Sequence, residues 1–264
     1  MDAANPVQHG SEAVAYHIPT VPSAGDTSPL KTTIALPRRS AWTSGLHFHA
    51  THTEYLRLVK GAVFVELNGK TKLISALVGG EVDASTGQQI QEGLVIEIPR
   101  YARHNWGRLD HYISLTRQGR SPQPIWPEDW TEEVVVEEST DPSDISKPLF
   151  FWNLNGIITA PSDTIFCMRQ RVAKGFLGDL WIDLQLFVVF WELDNWPIFI
   201  DFRKLPLGVR PSWALRMGEG AEIVTSFIVL CVARVFGILL GLRAVEQRRT
   251  PDALWEAYWK SARD

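Results

Sequence analysis

The first half of the chain alternates between apolar and polar residues in short runs. Five such runs lie between residues 32 and 117, and they cover 55–59, 62–67, 70–75, 94–98 and 112–117. A period of two is typical of strands that bury one face. Short strands at this spacing form small antiparallel barrels or sandwiches. We therefore predict an antiparallel all-β domain over 32–120.

One turn inside this domain can be predicted from two residues. Asn68-Gly69 separates two of the runs. A type I′ turn needs positive φ at both central positions, which Asn and Gly accept more readily than other residues. The pair therefore predicts a tight β-hairpin.

The segments that flank the β-domain have a different composition. Residues 1–31 contain four prolines and little periodicity, so we predict a flexible N-terminal arm. Residues 121–148 are rich in proline and acidic side chains, which is typical of a solvated linker.

The remaining residues, 149–264, predict an α-helical and strongly apolar region. The run 223–242 has Arg234 as its only charge and is long enough to cross a bilayer as a helix. The run 180–202 is as apolar but carries four carboxylates and a proline, which favours an interfacial or re-entrant segment. We expect membrane association through both runs, with Arg234 paired to Asp183 or Glu192. The alternative is a pair of core helices in a soluble cap or dimerisation domain.

Composition narrows the classes of partner and compartment. The formal charge of −4 and the pI near 6.0 differ from the net basic charge that is typical of nucleic-acid-binding proteins, so we exclude DNA and RNA as binding partners. Two cysteines, Cys167 and Cys231, are too few for a disulfide framework and suit a reducing compartment. Residues 1–10 do not resemble a secretory signal. We expect an intracellular membrane of the endoplasmic reticulum type, or the cytoplasm if the helices form a soluble cap.

Five of the seven histidines lie in the β-domain, and three of them have the spacing of metal ligands. His47 and His49 are two residues apart, so on a strand both imidazoles point to the same side. A turn within 50–53 would bring Glu54 to the same face, and His104 follows the turn that begins at Pro99. Three imidazoles and one carboxylate suit a single divalent ion, Fe(II), Mn(II), Ni(II) or Zn(II), with positions left open for substrate. We expect His52 to lie in the turn and face solvent.

These residues resemble the two sequence motifs of the cupins. His47, His49, Glu54 and Gly61 match the first motif at its spacing, with Ala41 in place of the leading glycine. In the second motif Gly93, Pro99 and His104 match, whereas Tyr101 replaces a glycine and Arg108 an asparagine.

The resemblance covers about residues 32–118. It implies a jelly-roll type β-barrel that holds one metal through His47, His49, Glu54 and His104, which would also be the catalytic residues. The alternative is a barrel that has lost its metal. Tyr101 leaves the conformation of its turn open.

The resemblance by itself does not select a reaction, because cupins catalyse many. Apolar residues surround the first motif (Trp42, Leu46, Phe48, Tyr55 and Leu56), which suggests a hydrophobic or aromatic small-molecule substrate. The order of the regions resembles cupin oxidoreductases of fungal natural-product pathways. We therefore expect a dioxygenase-like enzyme of secondary metabolism with Fe(II) as its metal, and a homodimer as the default assembly. The alternatives are a non-redox isomerase or cyclase and a non-catalytic, membrane-tethered binding protein.

Overall fold

A computed structural model describes residues 6–22, 29–83, 86–116, 128–159, 165, 167–204 and 212–261. In chain order the strands of this part are β1 (Val7–Gln8), β2 (Val14–His17), β3 (Thr32–Leu36), β4 (His47–Phe48), β5 (Thr53–Lys60), β6 (Ala62–Leu67), β7 (Lys70–Ser75), β8 (Gly80–Val82), β9 (Gln89–Glu92), β10 (Val95–Ile98), β11 (His104–Arg108), β12 (Val134–Asp141) and β13 (Trp196–Pro197). The helices are α1 (Leu109–Thr116), α2 (Ser146–Thr159), α3 (Met168–Leu177), α4 (Leu180–Glu192), α5 (Ser212–Leu240) and α6 (Asp252–Ser261).

The strands form two antiparallel sheets that pack as a cupin-like sandwich. One sheet has the order β1-β2-β3-β12-β5-β10 and the other the order β13-β4-β11-β6-β7-β8-β9. The all-β antiparallel fold is therefore as predicted. The two sheets do not close into one barrel, since within the described residues each keeps its own edge strands.

The core between the sheets follows the alternation of the sequence. Strand β5 buries Glu54, Leu56 and Leu58 on one face, and β3 buries Ile34 and Leu36. Burying a large aliphatic side chain of this kind contributes about 1.5–3 kcal/mol. Glu54 lies in this inward row, as predicted, and it is the polar member of an otherwise apolar face.

The predicted hairpin between β6 and β7 is confirmed. Asn68 and Gly69 have φ values of 51° and 77°, and Leu67 pairs with Lys70 across the turn. Both central residues thus take the left-handed conformation that a type I′ turn requires.

The predicted strand over 112–117 is wrong, because residues 112–116 belong to α1; residue 117 lies outside the described residues. The Asp110 side chain accepts hydrogen bonds from the backbone N–H of His111 and from the Arg108 guanidinium at the start of the helix. Ile113 is buried and Tyr112 stacks on Phe64, so the helix packs one side against β6. A carboxylate in the first turn favours a helix start, and this outweighed the alternating pattern.

The prediction of a solvated acidic linker over 121–148 is wrong for the centre and the end of this segment, which form a strand and the start of a helix. Strand β12 lies between β3 and β5 in the middle of its sheet, and α2 begins at Ser146. Acidic side chains of this segment are paired: Glu137 forms ion pairs with Lys31, which precedes β3, and with Arg57 of β5. The acidic composition suggested a solvated segment because the basic partners of these side chains lie far away in the sequence. Residues 121–127 lie outside the described residues.

The N-terminal arm is also more ordered than predicted. Strands β1 and β2 extend the first sheet, and Val14 and Tyr16 are buried in its core. Residues 1–5 and 23–28 of the predicted arm lie outside the described residues.

The helical region shares one core with the sandwich. Leu149, Trp181 and Val188 are fully buried in the same apolar cluster as Leu56 and Trp106 of the sheets. Strand β13 pairs with β4, which carries His47. The boundary predicted at 148/149 therefore does not separate two independent cores.

The apolar run 180–202 is explained by this packing. Helix α4 has 13 residues, about 20 Å, and it contacts α2 and α5. Trp181, Val188 and Val189 have no exposed surface. Burial in protein accounts for the apolar character of this part of the run, and the interfacial or re-entrant membrane segment over 180–202 stays a prediction.

Helix α5 remains the candidate for membrane contact. Within the described residues, one helical segment, Met217–Leu240, is long enough and apolar enough to cross a bilayer. Most of its residues are not buried in the protein. Arg234 pairs with Glu192 of α4 at 3.3 Å, which was one of the two predicted partners.

Candidate metal centre

The four predicted ligands converge between the two sheets. His47 lies on β4 and pairs across the ladder with His104, the first residue of β11. His49 follows β4, and a turn at 50–52 leads into β5, where Glu54 points inward. The candidate ligand atoms of all four residues lie within 4.8 Å of one another, and every side chain is buried.

Each histidine is fixed through its Nδ1 atom. The Nδ1 of His47 lies 2.8 Å from the Gly45 carbonyl oxygen and that of His104 lies 3.0 Å from the Ala102 carbonyl oxygen. The Nδ1 of His49 lies 2.5 Å from the Asp194 carbonyl oxygen. Because a carbonyl only accepts, each Nδ1 carries the proton and each Nε2 presents a lone pair. This is the outer hydrogen bonding that metal-bound imidazoles require.

None of the four candidate ligand residues places a positive charge at the centre of the cluster. The Nε2 atoms of His49 and His104 are buried without a hydrogen-bond partner among the described residues. His49 Nε2 also lies 2.7 Å from Glu54 Oε2, so a lone pair faces a carboxylate oxygen. Two acceptors at this distance repel each other unless a cation lies between them. The residues therefore fit a bound metal ion.

The protonation of the cluster suits the same role. Burial lowers the pKa of His47 well below its ordinary value and lowers that of His104 to about 4. Burial alone would raise the pKa of Glu54, but the Lys147 ammonium group holds it well below its usual range. The neutral imidazoles of His47 and His104, the His49 imidazole and the Glu54 carboxylate form a donor set that suits first-row divalent metals.

The turn of the second motif keeps its shape despite the missing glycine. Tyr101 has a φ of 62°, which a bulky residue rarely adopts. Its N–H donates to the His49 carbonyl oxygen at 2.7 Å, and its ring stacks on Phe48. These contacts hold the left-handed conformation that glycine would take without strain.

Lys147 of α2 is a site residue that the sequence did not reveal. Its Nζ lies 2.5 Å from Glu54 Oε2 and 3.2 Å from Glu138 Oε2, with its side chain almost fully buried. Glu138 of β12 also accepts from Trp106 Nε1 at 3.0 Å. Burial opposes the charge on Lys147, but Glu138 and Glu54 outweigh it and raise the pKa of the ammonium group. Burial raises the pKa of Glu138.

Asp194 is the second residue that sequence analysis missed. Its carboxylate accepts from the backbone N–H groups of Ala50, Thr51 and His52 at 2.8–3.1 Å. The carboxylate thereby fixes the turn between His49 and Glu54, while its carbonyl oxygen orients His49. The only signal in the sequence was a carboxylate inside an apolar run, a residue that needs partners when buried.

His52 was predicted to face solvent, but its side chain is buried. It is 8% exposed, and its two ring nitrogens lie 2.7 Å from Asp194 Oδ2 and 3.1 Å from Asp144 Oδ2. These carboxylates raise the pKa of His52 to about 9 by hydrogen bonding. His52 thus links the turn to the helical region and does not join the ligand cluster.

A cavity of about 220 Å³ reaches His47, Glu138 and Lys147. Its remaining wall has an aromatic and aliphatic part (Tyr16, Trp42, Phe150, Phe151, Leu154, Ile158 and Phe190) and a polar part (Gln8, Glu12, Thr43, Ser44 and Asn195). Of the aromatic residues predicted around the first motif, only Trp42 lines it. The apolar wall comes chiefly from α2, and so the helical region completes the site.

Comparison with solved structures finds cupin structures that are similar to part of this chain, whereas comparison of sequences finds no family. Neither a family model nor a curated protein matches the chain. KdgF from Halomonas sp. is 15% identical with a TM-score of 0.28 and covers 53% of this chain and 89% of its own. A predicted oxalate decarboxylase from Thermotoga maritima is 14% identical with a TM-score of 0.31, over 53% and 95% of the two chains. The Cnp3 cupin domain of Schizosaccharomyces pombe is 11% identical with a TM-score of 0.28, over 53% and 72%.

Similarity at this level carries no argument about activity, so the assignment depends on the chain's own geometry. Two antiparallel sheets enclose His47, His49, Glu54 and His104 at the spacing of both cupin motifs. This chain therefore has a cupin-like β-sandwich with the buried ligand set typical of a cupin metal site.

Proposed function

We propose that this protein is a metal-dependent oxidoreductase of the dioxygenase type that acts on a small hydrophobic or aromatic metabolite. The observation that carries the proposal is the position of the ligand cluster, which borders through His47 a cavity whose wall includes four aromatic side chains, Trp42, Phe150, Phe151 and Phe190. Fe(II) held by His47, His49, Glu54 and His104 would supply the activation of O₂. Mn and Ni are alternatives at the same ligands, whereas Zn, which has no redox chemistry, would fit only the non-redox candidate below.

The chain's own residues prepare this site in three ways. The backbone carbonyls of Gly45, Asp194 and Ala102 orient the imidazoles before any ion binds. Lys147 neutralises part of the charge on Glu54 and fixes the orientation of its carboxylate. The aromatic and aliphatic side chains of the wall favour a substrate with apolar or aromatic surface.

A second candidate is a non-redox isomerase or cyclase. It is favoured by the Lys147–Glu138 pair, which lines the same cavity. A protonated ammonium and a carboxylate whose pKa is raised by burial can hold and move a proton at a substrate carbon or oxygen. In this reading the metal would polarise a carbonyl group.

The proposed setting in secondary metabolism depends on the resemblance of the region order to fungal pathway proteins. A non-catalytic binding protein is the remaining alternative, since it would keep the cavity without needing turnover.

The experiment compares small-molecule extracts of cells that express the full-length protein, the His104→Ala variant or the His111→Ala variant. His111 lies on α1 outside the cluster and is the matched control. Oxidation predicts a product whose mass shows added oxygen or lost hydrogen, with label from ¹⁸O₂ in a dioxygenase. A product of unchanged mass supports the isomerase or cyclase. Extracts that do not differ between wild type and His104→Ala would contradict both enzymatic proposals and favour the binding protein.

A further inference from the structure

Two neighbouring helices expose large apolar side chains on the surface of the protein. On α5 these residues are half-exposed or more and recur every three or four positions: Val224, Phe227, Ile228, Val232, Val235, Phe236, Ile238 and Leu239. On α3 they are Met168, Val172 and Phe176, and Phe176 is 90% exposed. We call these eleven residues the outer apolar face. Soluble monomers rarely leave so continuous an apolar surface in contact with water.

The opposite side of α5 is firmly packed on the protein. Leu230 and Ala233 are buried, and Gly237 allows Val188 of α4 to approach its backbone closely. Arg234, the single charge between residues 223 and 240, turns toward Glu192. The outer apolar face therefore carries no charge on α5.

The N-terminal part of the apolar helix is tied to the sandwich. Glu222 is buried and accepts two hydrogen bonds of 2.7 Å from Arg103, which is itself buried. Ser226 donates to the Pro197 carbonyl oxygen at 2.6 Å. A helix that crossed a bilayer from Met217 to Leu240 would have to break these contacts and leave buried charges unpaired, which is costly. The geometry favours a helix that lies along a surface.

The charges around the outer apolar face select its partner. Arg169, Arg171 and Lys174 lie on α3, which has no acidic residue. Arg169 donates to the Leu239 carbonyl oxygen, and this contact places the basic helix at the C-terminal end of α5. Apolar stripes with basic flanks are typical of helices that lie in the headgroup region of anionic bilayers. A symmetric dimer through the same patch would have to pair these cations with carboxylates of the same surface, and α3 carries none.

We propose that the outer apolar face is a monotopic membrane-binding surface that recognises anionic phospholipid. Helices α3 and α5 bury their exposed apolar side chains among the acyl chains, while the α3 cations contact the headgroups. The sandwich and its candidate metal site remain on one side of the bilayer.

The test is flotation of the purified full-length protein with two kinds of vesicle, phosphatidylcholine alone and phosphatidylcholine with about 30% phosphatidylserine. The protein should float with the anionic vesicles and bind the neutral ones more weakly. Added salt should reduce binding to the anionic vesicles toward the neutral level. An alkaline carbonate wash should release it, because it does not span the bilayer.

Surface variants separate the apolar and ionic contributions. Val172→Asp with Phe176→Asp should weaken binding to both vesicle types at least about tenfold. Arg171→Gln with Lys174→Gln should weaken binding only to the anionic vesicles, by about fivefold per residue. Ile90→Asp is the control, since Ile90 is an exposed apolar residue on β9, away from the outer apolar face, and should leave binding unchanged. All variants should keep the wild-type circular dichroism spectrum, which shows that they fold.

Three results would overturn the proposal. One is a wild-type protein that stays unbound with both vesicle types. Another is a dimer in solution that Val172→Asp with Phe176→Asp dissociates, without any vesicle binding by the monomer, because the face would then belong to a second copy. Carbonate-resistant protein with a protease-protected α5 would also contradict monotopic binding and indicate a membrane-spanning helix.

Discussion

The carbonyl oxygen of Asp194 lies 2.5 Å from His49 Nδ1, 145 residues away in the chain, while the Asp194 carboxylate binds the turn that follows His49. One residue of the helical region thus sets both the orientation of an imidazole ligand and the path of the chain toward Glu54. Its φ of 54° is a left-handed conformation that Asp tolerates better than most residues. The metal site and the helical region are therefore one structural unit.

Loss of a ligand should remove the metal and leave the fold intact. His104→Ala should lower metal affinity by more than the 10–100-fold expected for an outer hydrogen-bonding residue. The measurement is the metal content of purified protein by elemental analysis, with circular dichroism to confirm folding. His111→Ala should keep the wild-type metal content. A folded His104→Ala protein with a full equivalent of metal would show that the site assignment is wrong.

Asp194→Asn should weaken both the turn and the metal site. An amide accepts fewer hydrogen bonds than a carboxylate, and its NH₂ group would face the donors of residues 50–52. We expect a loss of roughly 3 kcal/mol in the free energy of unfolding and a metal affinity about 10–100-fold lower. Chemical denaturation and metal titration measure the two effects. Asp179→Asn, on the exposed start of α4, should change neither, and equal behaviour of the two variants would contradict the positioning role.

Lys147→Met should make the fold depend on metal. Without the ammonium group, Glu54 and Glu138 are two buried carboxylates without their shared partner. Breaking a buried ion pair in this way costs about 3–5 kcal/mol. Metal binding would restore a positive charge beside Glu54, so the thermal stabilisation on adding metal should be larger in this variant than in wild type.

The double variant Lys147→Met with Glu138→Gln is the control for this interpretation. It removes one buried positive and one buried negative charge together, so it should recover much of the stability lost in Lys147→Met. Additive destabilisation by the two substitutions would contradict the coupling between Lys147 and Glu138.

Substitutions at Tyr101 should separate backbone strain from stacking. Tyr101→Ala loses the contact with Phe48 and keeps a left-handed non-glycine residue, so we expect a loss of about 1 kcal/mol. Tyr101→Gly loses the same contact but relieves about 1–2 kcal/mol of backbone strain. Glycine should therefore be the more stable of the two variants in thermal unfolding. Equal stabilities would mean that the turn stores no strain.

Removal of residues 149–264 should abolish the soluble fold. The fragment 1–148 would expose the part of the core that contacts Leu149, Trp181 and Val188, and it would lose Asp194. We expect aggregated protein without stoichiometric metal, measured by solubility and elemental analysis against the full-length chain. A soluble fragment that retains the metal would instead show that the sandwich folds independently.

The sequence alone determined strands β5, β6, β7 and β10 and the candidate ligand set, because these depend on local spacing. The alternation of β5–β7 and the Asn68-Gly69 turn define a hairpin without reference to the rest of the chain. His47 and His49 share a face because they lie two residues apart, and one short turn brings Glu54 beside them.

Only the tertiary structure decided what surrounds these ligands. Lys147 and Asp194 reach the site across 93 and 145 residues of chain, and such contacts leave no local period or motif. Strand β12 escaped prediction for the same reason, since Glu138 points inward only because Lys147 and Trp106 are there to meet it. A buried charge is stable only with its partner, and the partner's position is a property of the folded chain.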